Sequence, residues 1–249
     1  MSTSASLPLS DEQVAAFWSD GYVMMDDAVS ASDLVDLQAS IASWVEESRN
    51  HAGPFGTTMD GRARFDVQPG HSAEQPALRR VASPQEVCDV HLRIMRDSPL
   101  VDAAAQLVGP NLVVNNVKTN CKQPGSNTVV KFHQDFAYEA HSNDDMLAVL
   151  LFVDDVTPDN GPLEVIPGSH RGPVFEHWQN GVLRTKPKCS AGTRSTTPNR
   201  SNRCWVGALI WHTLLVNMTF STEGSRNSGG RPAARNYLTP NQPLQPVPC

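Results

Sequence analysis

The residues best suited to chemistry in this chain are His133 and Asp135, which close the run Val129-Val130-Lys131-Phe132-His133-Gln134-Asp135-Phe136. In an extended strand, residues i and i+2 point to the same face. A neutral imidazole nitrogen and an anionic carboxylate oxygen converging there supply two corners of the two-histidine, one-carboxylate facial triad. That triad holds non-haem Fe(II) and leaves coordination positions open. Alone, a His-x-Asp is common and more often a plain hydrogen-bonded pair at a strand end, so the surrounding chain has to decide for the metal.

Positioning such a pair falls to the elements around it. Met146 to Val153 reads as a long apolar strand, and Asp154 to Gly161 as a tight turn built from Asp, Asn, Pro and Gly. Gly161 to Ile166 starts another strand, and Pro167-Gly168-Ser169-His170 makes another turn. Upstream the period is helical. Ser10 caps a short helix that stops at Gly21, and Ser32-Asp33 caps a second with Leu34, Leu37, Ile41, Trp44 and Val45 on one face. Pro84 to Arg96 and Ser98 to Leu107 give two more helices, the last ending at Gly109-Pro110. Tyr22 to Met25 reads as a short strand, and the polar, glycine-rich text from Glu47 to Ser72 as a long surface loop. Leu112 to Lys118 turns β-rich, and Lys122-Gln123-Pro124-Gly125-Ser126 is a turn into the strand that carries His133. Helices followed by short strands describe an α+β domain with its helices packed on a β core.

Composition narrows the function classes. A chain of 249 residues with 39% hydrophobic content can bury a sizeable core, and one domain over residues 1-249 is expected. Its helical part covers about 1-110 and its β core about 111-240. A net charge of −6 and a pI near 5.7 give no basic field, and no Lys/Arg run is long enough to track a phosphate backbone, so nucleic acid is not expected as a partner. No apolar run approaches the roughly 20 residues that cross a bilayer, and MSTSASLPLSDEQ lacks the regions of a signal peptide. The expectation is a soluble, cytoplasmic protein with no membrane partner. Cys88, Cys121, Cys189, Cys204 and Cys249 show no paired spacing, which suggests neither a zinc site nor a disulfide framework.

The order HQD, apolar strand, NGPLEVIPGSH resembles the phytanoyl-CoA dioxygenase family of Fe(II)/2-oxoglutarate oxygenases. The likeness is strongest from about Val113 to Pro173, and Phe17 to Val23 looks like the family's usual opening. The resemblance implies a double-stranded β-helix, or jelly roll, as the β core. It implies Fe(II) and 2-oxoglutarate as cofactors, O2 as co-substrate, and hydroxylation of a small-molecule or acyl substrate. It assigns His133 and Asp135 to the metal and His170 to a structural turn. Lys122 falls where relatives carry a lysine in a KxPG-like turn, which leaves it either a co-substrate contact or a solvated turn lysine.

The C-terminal third departs from the family pattern. Residues 184 to 204 are basic, hydroxyl-rich and almost free of large aliphatics, so no buried strand is expected there. Gly207 to Val216 resembles the family's penultimate strand, which puts His212 at a non-ligating histidine and Asn217 where the third iron ligand normally stands. An asparagine oxygen is a poorer Fe(II) ligand than an imidazole. The site then uses His212 through a local rearrangement, holds iron by two side chains, or is dead. The last case makes the chain a catalytically impaired homologue that serves as a binding or partner subunit. Beyond, Arg231, or else Arg235, stands where the family's arginine forks onto the distal carboxylate of 2-oxoglutarate.

Overall fold

The computed structural model describes residues 7–124, 133–135, 146–158, 160, 162–172, 176–179, 182–188, 205–208 and 215–222. Its helices come first. Helix α1 (Asp11–Asp20) opens with a capping box: the Ser10 hydroxyl accepts from the Gln13 backbone N–H, and the Gln13 side chain accepts from Ser10 N–H. It ends at Gly21 in the left-handed region, φ +88°. Helix α2 (Ala31–Ser48) is capped by Ser30, two residues before the expected cap, and turns Leu37 and Ile41 into the core. Helix α3 (Asp89–Asp97) buries Val90, His91, Ile94 and Met95, and α4 (Pro99–Val108) starts on a proline and stops at Gly109.

Six strands form the main antiparallel sheet, in the order β1 (Phe55–Thr57), β2 (Ala63–Val67), β3 (Leu78–Ala82), β4 (Leu112–Asn120), β11 (Leu215–Thr222) and β6 (Met146–Phe152). A second sheet has the order β5 (His133–Gln134), β10 (Trp205–Ala208) and β7 (Leu163–Glu164), and β8 (Glu176–Gln179) pairs with β9 (Val182–Lys188). Alternation divides the main sheet into two faces. Val81, Val117, Thr119, Leu147, Leu151, Met218 and Phe220 are buried in the core to which the helices contribute Phe17, Leu37, Ile41, Ile94 and Ala104. The opposite face of β4 carries Asn116, Lys118 and Asn120, all half-buried.

Four local expectations need correction. Tyr22 to Met25 is not a strand. The stretch 47–72 is no continuous loop, because it holds β1 and β2, whose pairing stacks Phe55 on Phe65 with ring centroids 4.5 Å apart. Three hydrophobic residues, Phe55, Phe65 and Val67, carry that signal amid polar text, too few for a periodicity reading. Pro84 to Arg96 splits into a 3-10 turn (Pro84–Glu86) and α3. Gly207 to Val216 is not one strand: β10 belongs to the small sheet and β11 to the large one. Of the segment 184 to 204, residues 184–188 lie on β9, and 189–204 fall outside the described residues.

His91 shows what this core demands. The ring is 2% exposed, lies 5.1 Å from the Trp44 ring and shares a hydrogen bond of 3.2 Å with Thr119 Oγ1. Burial disfavours the imidazolium and pushes its pKa from the ordinary 6.5 down to about 3. The unfolded chain therefore binds a proton below pH 6.5 that the folded one refuses until about pH 3. Stability from this residue is full above pH 6.5 and is lost as pH falls, by roughly 1.4 kcal/mol per unit. Denaturant titrations between pH 7 and 5 should show that slope in the wild type and a flatter one in His91→Gln; equal slopes would refute the assignment.

Candidate active site

His133 lies on β5, pairing with Val206 of β10, while Gln134 pairs with Trp205. The intervening Gln134 is 1% exposed, whereas the flanking His133 and Asp135 side chains are 18% and 16% exposed and meet each other. His133 Nε2 donates to Asp135 Oδ1 over 3.1 Å, which is the convergence that the two-residue spacing predicts. Two donors at about 2.1 Å from a common centre and at right angles to it lie about 3.0 Å apart, so the pair has the separation of two adjacent ligands of one ion. A divalent cation would take the place of the shared proton, releasing it from Nε2. The donor set of one imidazole and one carboxylate fits Fe(II) chemistry. Among the described residues no third His, Cys, Asp or Glu joins them.

The remaining expected site residues are distributed as follows. Lys122 stands just past β4 and is 6% exposed, so it is not a solvated turn lysine. Its Nζ has no hydrogen-bond partner among the described residues, and burial pulls its pKa down from 10.5 to about 7. A buried amine without a partner is costly to leave so, and an anion is the ligand that relieves it. Asn217 belongs to β11 in the main sheet, cross-strand from Lys118 and Leu150, so strand pairing does not bring it beside His133. His212, Arg231 and Arg235 lie outside the described residues.

His170 is buried at 5% exposure, and its Nε2 lies 3.2 Å from the Trp18 carbonyl oxygen at the end of α1. Gly168 N–H donates to the Asp20 carbonyl over 2.7 Å, so the turn after β7 is clamped to the α1 C-terminus. Gly21 makes the clamp possible, since a Cβ there would come within 2.3 Å of His170 Nδ1. The resemblance implied this turn role.

Sequence reasoning missed a polar cavity of about 300 Å³ on the open side of β2, β3 and β4, lined by Arg62, Asp66, Arg80, Asn116 and Lys118 among others. The available signal was charge at alternate positions within strands, at Asp66, Arg80 and Lys118, where a solvated face was the simpler reading.

The family model for Phytanoyl-CoA dioxygenase (PhyH) matches residues 17–225. The chain is similar to the "Probable alpha-ketoglutarate-dependent hypophosphite dioxygenase" of Stutzerimonas stutzeri, with 29% identity over 185 residues, 74% of this chain and 60% of that one. It is 33% identical over 177 residues to the L-proline trans-4-hydroxylase of Streptomyces griseoviridis, covering 70% of this chain and 59% of the relative. The chain thus spans 59–60% of the length of these relatives. Among solved structures, EctD from S. alaskensis in its apoform superposes with a TM-score of 0.65 at 20% identity, over 96% of this chain and 88% of that one. The same protein with bound Fe gives a TM-score of 0.62 at 21% identity, over 89% and 79% of the two chains. At such identities the likeness speaks for the fold: α+β, with N-terminal helices and antiparallel sheet.

Proposed function

Because this chain belongs to the phytanoyl-CoA dioxygenase family of Fe(II)/2-oxoglutarate-dependent hydroxylases, we propose that it hydroxylates a small-molecule or acyl substrate as a single oxygenase domain with a jelly-roll core. The observation that carries this reading is the pair of His133 and Asp135, 3.1 Å apart and partly open to solvent. These two side chains would hold the iron. When bound, Fe(II) would let O2 act as the oxidant of a substrate C–H bond, with 2-oxoglutarate oxidised alongside it to succinate and CO2.

Lys122 is proposed to receive a carboxylate of 2-oxoglutarate. With its pKa near 7, the empty amine is partly neutral at neutral pH, and an arriving carboxylate draws a proton onto Nζ. Arg231, or Arg235 in its place, is proposed to grip the distal carboxylate as a bidentate fork, a task for which guanidinium is better shaped than ammonium. His212 and Asn217 are the two candidates for a third iron ligand.

The test is succinate release from 2-oxoglutarate with added Fe(II) over a panel of small substrates. Iron-dependent release is expected, and Lys122→Met should raise the KM for 2-oxoglutarate while leaving Fe(II) affinity alone. Absence of release across the panel would instead favour the second reading, an impaired homologue acting as a binding or partner subunit. Asn217, in place of the histidine that the family pattern expects, is the feature that motivates that alternative.

A further inference from the structure

The open face of the main sheet concentrates positive charge in a protein whose net charge is −6. Arg79 and Arg80 both reach Asp66 Oδ2, at 2.8 and 3.2 Å, so two guanidiniums share a single carboxylate. Arg62 is neutralised by Asp60 at 2.7 Å. Lys118, one strand further on, has no ion-pair partner among the described residues. Its neighbour across β3 is Ala82, whose small side chain leaves room beside the ammonium. Arg62, Asp66, Arg80, Ala82 and Lys118 line the cavity of about 300 Å³ described above, a volume at the lower end of those that hold small ligands. Burial and the adjacent Arg79 charge pull Arg80 below the ordinary guanidinium value, as expected of a cation short of counter-charge.

We propose that this cavity binds the acidic group of the substrate, a carboxylate or a phosphate or phosphonate, through Arg80 and Lys118. The assignment rests on the oxygenase reading for its catalytic meaning and names the class of molecule that reading leaves open: a small, anionic substrate. Arg80 offers a planar fork to two anion oxygens, Lys118 a point charge from the neighbouring strand, and Asn116 an amide. Asp66 holds Arg80 in place and by its own charge limits the site to one acidic group. Lys122, just past the end of β4, follows Lys118 by four residues, roughly 13 Å along an extended chain. That separation gives substrate and co-substrate distinct cations.

The test titrates inorganic phosphate and acetate separately into the metal-free protein, followed by amide NMR. Wild type is expected to bind at least one of them. Lys118→Met and Arg80→Gln should each weaken binding about tenfold, the loss of one charge-assisted contact, with unchanged melting temperature. Lys122→Met should leave the Lys118- and Arg80-dependent binding unaltered. A preference for phosphate identifies a phosphate or phosphonate substrate and equal binding of acetate a carboxylate; both uphold the proposal. It is overturned if neither anion binds, if neither the Lys118 nor the Arg80 substitution matters, or if 2-oxoglutarate displaces phosphate from the Lys118-dependent site. Because no step requires iron, anion binding without succinate release would sink the oxygenase reading alone, and succinate release without anion binding would sink this proposal alone.

Discussion

Replacing Glu86 by alanine is expected to cost about 3–5 kcal/mol of folding stability, the penalty for stranding the other half of a buried ion pair. Arg64 and Glu86 side chains are 6% and 5% exposed and meet at 2.6 Å. The guanidinium also donates to the carbonyls of Thr57, Ala82 and Ser83, and Glu86 Oε2 accepts from Met59 N–H. Arg64 thus ties β1, the β3 end and the 3-10 turn together, and among the described residues its charge is met only by Glu86. With the carboxylate gone, a desolvated cation is left among neutral carbonyls. Domains have only about 5–15 kcal/mol of stability, so the loss is a large fraction of the whole. Denaturant unfolding would measure it as a lowered midpoint. A change below about 1 kcal/mol would mean that water reaches Arg64 and that the pair behaves as a surface one.

Asp135→Ala and His133→Ala should each reduce Fe(II) affinity by more than about 100-fold, since loss of even an outer-shell partner costs 10–100-fold. The pair supplies two of the three protein ligands of a facial triad, and each donor removed leaves a single protein ligand from it. Anaerobic titration of Fe(II) into the purified variants reads the affinity directly. Asp135→Ala also removes the His133–Asp135 hydrogen bond, so a purely structural pair would show itself as a lowered melting temperature with iron binding intact. That result would remove both residues from the metal site and leave the interaction a strand-end contact.

How much of this was legible in the sequence varies with the physical signal. Helices α1 and α4 were readable because capping residues and breakers, Ser10, Gln13 and Gly21 in one and Pro99 and Gly109 in the other, are local chemistry. β4 and β6 announce themselves by long apolar or β-branched text. β1 to β3 do not, because their register depends on Phe55, Phe65 and the buried Arg64, a residue whose polarity says surface until its partner Glu86, 22 residues on, is known. The His133 and Asp135 pairing was legible from spacing alone. The Arg80 and Lys118 cavity was not, since it forms only when strands from separate parts of the sequence lie side by side. The assignment of Gly207 to Val216 to a single strand failed for the same reason: apolar content marks a strand but not the sheet to which it goes.

The position of β11 has a consequence for biosynthesis. This strand lies between β4 and β6, both made long before it. Until Leu215 to Thr222 leave the ribosome, roughly 100 residues after β4, those two strands lack the neighbour that joins them. At about 5–20 residues per second the wait is roughly 5–20 s. For roughly the last 3–13 s of it, the apolar Met146–Phe152, MLAVLLF, has an unsatisfied backbone edge, the kind of segment that pairs with other nascent chains. Yield of this protein in a cell should therefore track translation speed and chaperone supply more closely than the stability of the finished fold.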